Sequence, residues 1–174
     1  MGMIIGLEES DLMTIMETEG EIEICNRNNR HTFIISGVRK AVENVLAESK
    51  NEGALRTSLL PVSNPYHSRF LKGCLKPFEA VVSELGFPDP SFRYISTLDQ
   101  HIIETSEDLR NEVVLNLSEK MDWAETMNTM IKMGANVIFE CGAGDGLTRN
   151  SRFIDGNFQS YSINKFEGFL KSIR

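Results

Sequence analysis

The 174-residue sequence is poor in several residue types, and each shortage excludes something. Its three cysteines, Cys25, Cys74 and Cys141, are odd in number and far apart, with no C-x-x-C pair. That sets aside a disulfide scaffold and a structural zinc site, and a reducing cytoplasm is the expected compartment. Apolar runs such as Val137-Ile138-Phe139 are only a few residues long, whereas a membrane-spanning helix needs about 20. No basic n-region opens the sequence, and Glu8, Glu9 and Asp11 arrive at once. Neither a membrane span nor a secretory leader is expected. Basic residues are also scarce. Lys and Arg number 18 against 25 Asp and Glu, for a net charge of −7. That sign argues against a nucleic-acid partner.

What is present is ordinary for a globular domain, at 41% hydrophobic and 25% charged residues with 13 Gly and 5 Pro. A chain of this size buries about two-thirds of its extended surface, enough for a core. Charge is unevenly placed. Residues 1–24 hold seven acids and no Lys or Arg, while the tail from Gly146 onward carries Arg149, Arg152, Lys165, Lys171 and Arg174 against Asp155 and Glu167. A basic end on an acidic protein is either a solvated surface or a patch for an acidic partner.

The patterning over the first sixty residues predicts strand Met3–Leu7, helix Glu8–Gly20, strand Glu21–Cys25, a polar turn over Asn26–Arg30, strand His31–Ser36, helix Val38–Lys50 and strand Leu55–Val62. That order, β-α-β-β-α-β, is the ferredoxin-like split unit. Beyond Ser63 the pattern predicts a helix from His67 to Leu85 with Phe70, Cys74, Phe78 and Val81 or Val82 as its apolar stripe. Short strands follow at Phe92–Ser96 and His101–Glu104, then a helix Glu107–Leu117 capped by Ser106 and a helix Trp123–Met133. A buried-type strand Asn136–Cys141, a glycine loop, a short helix Leu147–Ile154, a strand Ser160–Ile163 and a helix Lys165–Ile173 complete the chain. Alternating strands and helices predict an α/β arrangement with a largely parallel sheet.

Two motifs carry chemistry. In Pro61-Val62-Ser63-Asn64-Pro65-Tyr66-His67-Ser68 a histidine is braced by two prolines at a loop-to-helix junction. Imidazole titrates near neutrality, so a rigid histidine there can act as a general base; a plain surface histidine is the bland alternative. His31 and His101 lack such a setting and read as structural or exposed. In Glu140-Cys141-Gly142-Ala143-Gly144-Asp145-Gly146 an acid and a glycine turn follow a strand. That suits either a phosphate or nucleoside, as in enzymes using S-adenosylmethionine, or a tight turn in which glycine supplies φ > 0. No G-x-S-x-G elbow occurs in the sequence. Cys74 and Cys141 read as packing residues, and no metal site is suggested.

Taken together, four segments in order resemble the C-terminal part of the malonyl-CoA:acyl-carrier-protein transacylases and the related polyketide-synthase acyltransferase domains. They are Met3-Ile4-Ile5-Gly6-Leu7; Asn26-Arg27-Asn28 with Phe33-Ile34-Ile35-Ser36-Gly37; Pro61–Ser68; and Glu140–Gly144 with Leu147. The stretch from Asn116 through Leu117 to Trp123 fits as well, although Asn116 stands for the family's glutamine, Lys120 for a proline and Ala143 for the proline of the glycine turn.

The resemblance implies an α/β fold: a ferredoxin-like subdomain over residues 1–62, then the C-terminal part of an α/β-hydrolase-like acyltransferase domain over residues 63–174. It implies transfer of a malonyl group from a CoA thioester to the pantetheine thiol of an acyl carrier protein, with malonyl-CoA as substrate and no cofactor. His67 would be the base and the main-chain carbonyl of Asn116 its orienter. Asn26 and Asn28 would lie near the acyl group, and Arg149, Arg152, Lys165 and Lys171 would form a docking face for the acidic carrier. The family's serine elbow and carboxylate-clamping arginine find no counterpart in these residues, so a second polypeptide carrying the serine is expected. A non-catalytic module binding carrier protein or CoA, a truncated acyltransferase and an S-adenosylmethionine binder are the alternatives.

Overall fold

The computed structural model describes residues 1–163 and Leu170. Apart from Leu170, the predicted helix Lys165–Ile173 lies outside the described residues.

The chain opens with strand β1 (Gly2–Ile5), helix α1 (Glu9–Met16), strands β2 (Ile22–Asn29) and β3 (Thr32–Gly37), helix α2 (Arg39–Asn51) and strand β4 (Arg56–Leu59). The strands form an antiparallel sheet in the order β4-β1-β3-β2, the ferredoxin-like arrangement expected from the order of elements. Both helices lay their apolar stripes on this sheet. Ile4, Leu12, Phe33, Ile35 and Val42 are completely buried in one cluster with Leu7, Met16, Ile22, Ile24, Ala41, Val45 and Leu46. Gly37 is obligatory at the end of β3, because a Cβ there would stand 2.2 Å from the Glu21 carbonyl oxygen. Cys25, also buried, faces away from water, and burial pushes its thiol up to about 12.

The expected turn over Asn26–Arg30 is strand. β2 runs on to Asn29, with irregularities in its register at Ile24/Asn26 and Arg27/Asn29. Part of the polar side-chain surface is bonded locally, while Asn26 Oδ1 and Asn29 Nδ2 are buried without a hydrogen-bond partner among the described residues. Asn26 Nδ2 donates to Asn28 Oδ1 (3.0 Å), and Asn29 Oδ1 accepts from the His31 N–H (2.9 Å) to close a tighter turn.

After a loop through His67, a 3-10 turn over Arg69–Cys74 leads into α3 (Leu75–Ser83). The single helix expected from His67 does not form. His67 has φ 56, which no helix accepts, and Pro77 fits only in a helix's first turn, where its missing N–H costs nothing. Cys74 therefore sits exposed at the cap, and of the expected stripe only Val82 is buried.

Strands β5 (Tyr94–Ile95) and β6 (Ile102–Ile103) form a small antiparallel pair. Helix α4 (Ser106–Leu115) follows, capped by Thr105 rather than Ser106. The Thr105 hydroxyl accepts from the Asp108 N–H while the Asp108 carboxylate accepts from the Thr105 N–H, both at 3.1 Å. Strand β7 (Met121–Asp122) pairs in parallel with β2 and makes the first sheet five-stranded. Helix α5 (Trp123–Lys132), strand β8 (Val137–Glu140), helix α6 (Gly146–Asn150), a 3-10 turn over Ser151–Phe153 and strand β9 (Gln159–Ser162) follow.

The strands beyond Ser63 do not join in one parallel sheet. Among the described residues only β8 and β9 pair with each other in that sense, as a separate two-stranded sheet, while β7 runs parallel to β2 in the first sheet. Nor is β8 of buried type, since Val137 and Phe139 are 45% and 40% exposed. Cys141 is exposed rather than packed. No helix of the described residues is long and apolar enough to cross a membrane.

Candidate functional site

His67 is held at two consecutive main-chain oxygens at the end of α4. Its own N–H donates to the Leu117 carbonyl at 3.0 Å, and its ring Nδ1 lies 2.6 Å from the Asn116 carbonyl oxygen. Asn116 is the C-cap of α4, and the last carbonyls of a helix lack partners within it. A carbonyl can only accept, so Nδ1 carries the proton of the neutral ring and Nε2 is left as the bare, basic nitrogen. The left-handed φ of 56 is what turns the backbone so that amide and ring reach neighbouring oxygens.

On the other side of His67, the Ser68 hydroxyl donates to the Pro65 carbonyl and Ser68 is fully buried. Arg69 then ties the turn to β2. Its N–H and Nη1 donate to the two Glu23 carboxylate oxygens at 2.6 and 2.7 Å, and Nη2 donates to the Gly20 carbonyl at 3.1 Å. The histidine is thus pinned between the first sheet and the end of α4. The sheet and α5 are also joined directly. Arg27 on β2 makes a bidentate contact to Asp122, with Nη2 to Oδ2 at 2.7 Å, and Asp122 Oδ1 accepts from the Glu125 N–H at the start of α5. The hydrogen bond to Asp122 holds the Arg27 guanidinium above its ordinary pKa.

Around Asn116 lie residues that no sequence pattern indicated. The Asn116 Nδ2 donates to Thr97 Oγ1 (3.2 Å). Glu112, one turn earlier on α4, accepts from Thr97 Oγ1 (3.2 Å), the Thr97 N–H (2.9 Å) and Ser96 Oγ (2.7 Å). The Thr97 carbonyl accepts from the Asp122 N–H at 2.9 Å. Glu112 and Ser96 also line a cavity of about 490 Å³ with Asp99, His101 and Lys120. Neither Thr97 nor Glu112 carries a motif or spacing in the sequence that signals this role.

The other expected site residues fall elsewhere. Asn26 and Asn28 lie on β2 where it meets β7, bonded to each other, and no hydrogen bond joins either to His67 among the described residues. Arg149 is exposed but paired with Asp145 at 3.2 Å, Arg152 is exposed, and Lys165 and Lys171 lie outside the described residues. Glu140 does not wait for a nucleoside. Its carboxylate accepts from the Leu147 and Thr148 N–H groups at 3.1 and 2.8 Å and caps α6 from inside the chain. Burial pushes its pKa up, but the Thr148 and Leu147 donors outweigh this and hold it below the ordinary glutamate value. Among the described residues, no cluster of three or more His, Cys, Asp or Glu side chains could hold a metal ion.

Comparison with known proteins gives this geometry a context. The curated protein named malonyl CoA-acyl carrier protein transacylase from Haemophilus influenzae is 27% identical over 172 residues, covering 97% of this chain. That of Escherichia coli K12 is 25% identical over 168 residues, covering 95%. The solved structure of the same-named protein from Coxiella burnetii superposes with a TM-score of 0.87 at 26% identity, over 99% of this chain and 55% of that one.

The chain is a relative of the malonyl CoA-acyl carrier protein transacylases.

No family model matches it. A structure described as a type II PKS acyl-carrier protein in complex with its malonyl-transacylase superposes at 0.86 with 26% identity over 94% of this chain. A transacylase from Xanthomonas oryzae superposes at 0.88 with 20% identity, a likeness of fold alone. The chain spans about half the length of the curated relatives it matches, 55% and 54% for the two above. The fold class expected from the resemblance, mixed α/β of the acyltransferase kind, agrees with these neighbours.

Proposed function

We propose that this chain supplies the histidine of a malonyl-type acyl transfer from CoA to an acyl carrier protein, acting with a second polypeptide that carries the nucleophilic serine. The observation that carries the reading is the 2.6 Å contact between His67 Nδ1 and the Asn116 carbonyl. It presents Nε2 as a base without an acidic third member, an orienting role that a carboxylate fills in the usual triad. The names of the relatives supply the substrate class.

In this mechanism Nε2 of His67 takes the proton of the serine hydroxyl as its oxygen attacks the thioester carbon. The CoA thiolate leaves and takes that proton from Nε2, which frees the ring again, and an acyl-serine remains. The pantetheine thiol of the carrier then gives its proton to the same Nε2 and its sulfur attacks the acyl-serine, restoring the hydroxyl. Residues 1–62 serve as the small subdomain and residues 63–174 as part of the catalytic domain, in the cytoplasm. Asn26 and Asn28 face the acyl group. Arg152, with Arg149, Lys165 and Lys171, meets the acidic carrier, and no cofactor takes part.

Intact mass after incubation with malonyl-CoA tests this. The chain alone gains no malonyl adduct. Co-expressed with the serine-bearing polypeptide, it supports an adduct on that partner and transfer to holo carrier protein, and His67→Ala stops both. An adduct on the chain alone, or transfer that survives His67→Ala, overturns the reading; the second result favours a docking module instead.

A further inference from the structure

We propose that the side chains of Asn116, Thr97 and Glu112 form a clamp that positions the Asn116 carbonyl on Nδ1 of His67 and so sets which ring nitrogen is free. The inference rests on the reading of His67 as the transfer base, and it adds that the side chain at position 116 is not idle. An orienting carbonyl at a helix C-cap is in a poor place to be rigid, since helix ends fray. A functional group must be held to within about 0.5 Å by supporting bonds. Here the cap residue is held at both ends. Its N–H donates to the main-chain oxygen of Glu112 at 2.9 Å, and its side-chain Nδ2 donates to Thr97 Oγ1 at 3.2 Å.

The proton directions leave little freedom. An ionised carboxylate only accepts, so the single hydroxyl proton of Thr97 goes to Glu112 and a lone pair on Oγ1 is left for Asn116. Thr97 is in turn fixed by its own N–H to Glu112 (2.9 Å) and by its carbonyl to the Asp122 N–H (2.9 Å). The bonds close a ring: Glu112 main chain to Asn116 main chain, Asn116 side chain to Thr97, Thr97 back to the Glu112 carboxylate. The carbonyl that faces His67 thus belongs to a residue anchored in this ring through both its backbone and its side chain. None of the three touches a reacting atom; they act through the tautomer of His67.

The test reads that tautomer directly. Long-range proton–nitrogen NMR on the full chain, labelled with ¹⁵N-histidine and assigned with His31→Gln and His101→Gln, shows the His67 ring with its proton on Nδ1. Thr97→Val removes the hydroxyl at nearly constant shape, and Asn116→Ala removes the tether while keeping the carbonyl. Each lowers the ratio of the Nδ1–H to the Nε2–H form by about three- to tenfold, the size of one neutral hydrogen bond. Thr97→Ser keeps the hydroxyl and keeps the wild-type ratio.

An unchanged ratio in Thr97→Val and Asn116→Ala overturns the clamp, and so does Thr97→Ser behaving like Thr97→Val. If Thr97→Val does not fold, Asn116→Ala and Glu112→Gln decide by the same ratio. The outcome is separable from the transfer reaction. A shifted tautomer with no transfer in the complemented enzyme removes the reading of His67 as base and leaves the clamp. Transfer with an unshifted tautomer does the reverse.

Discussion

In the ferredoxin-like sheet and its helices, from Gly2 to Leu59, one cluster of buried side chains runs from Ile4 to Leu46. In the segment from Ser63 to Ile163 the buried apolar residues are Val82, Ile103, Val114, Ala124 and Met127, with no comparable cluster among them, while Phe92, Phe153 and Val81 are 77%, 69% and 59% exposed. The β8–β9 pair sharpens the contrast, because parallel strands are ordinarily covered on both faces and here alternate residues of β8 face outward. The first region is built to be stable by itself. The second holds the candidate chemistry in polar contacts and offers apolar surface of the kind that marks an interaction face. Stability and chemistry are therefore expected to fail separately.

The largest effect expected is on chemistry. On the proposed function, His67→Ala in the enzyme complemented with the serine-bearing polypeptide lowers acyl transfer by about 10³- to 10⁶-fold, the scale on which members of a catalytic unit fail. It moves the denaturation midpoint of the chain by no more than an ordinary surface change. Parallel loss of both would erase the distinction between the regions.

Phe33→Ala acts on the other side of the comparison. Phe33 is completely buried, and its truncation costs about 3–5 kcal/mol, whereas Phe92→Ala stays within about 0.5 kcal/mol. Urea titrations of the two variants measure this, and equal costs would mean that the second region has a core of its own.

Asp122→Ala strikes the link between the regions. It removes the bidentate contact to Arg27 and the cap on α5. The pair is partly exposed and so weak, and the loss is about 1–2 kcal/mol, mostly the cap. Hydrogen exchange should show α5 opening while the β1–β3 amides stay protected. Loosening of β1–β3 as well would show that the first sheet depends on its fifth strand.

The smallest effect is a pH dependence. His101 Nδ1 lies 2.5 Å from Asp99 Oδ1, and this hydrogen bond raises the histidine's pKa and lowers the aspartate's. The aspartate's share of stability is present above its unfolded value of about 3.9 and is lost as pH falls through its lower folded value. The histidine's share is complete below its unfolded value of about 6.5 and is lost as pH rises through its higher folded value. Both describe one interaction, strongest between about pH 4 and 6.5, and exposure limits it to about 0.2–0.5 kcal/mol. The melting difference between wild type and His101→Gln is therefore greatest near pH 5 and vanishes at high pH; a flat difference would refute it.

The ferredoxin-like unit was legible because its two periods, 2 in the strands and 3.6 in the helices, coincide with burial at Ile22, Ile24, Val42 and Leu46. The continuation of β2 through Asn26–Asn29 was not legible. Polar residues there read as a turn, and only the distant Asp122 and the paired asparagines make them strand. Helix α3 was misread because Phe70, Cys74 and Phe78 keep helical spacing across a chain that Pro77 and the φ of His67 interrupt. The strand expected to be buried at Asn136–Cys141, observed as the half-exposed β8, shows the converse: an apolar run records what a surface can be covered by, not what covers it in one chain. At the site, the histidine segment could be found from its prolines and from the family resemblance. Thr97 and Glu112 could not, since their roles come from a fold that brings residues 15 apart into one ring of hydrogen bonds.

The left-handed backbone at His67 has a consequence for how this position drifts under mutation. A side chain in that conformation costs about 1–2 kcal/mol that glycine avoids. Selection for thermal tolerance alone would thus push codon 67 towards glycine, and selection for the proposed acyl transfer would push it back. A library sorted twice, once by each criterion, would disagree at this residue more sharply than at its neighbours, and the size of that disagreement would measure how strongly the proposed reaction constrains it.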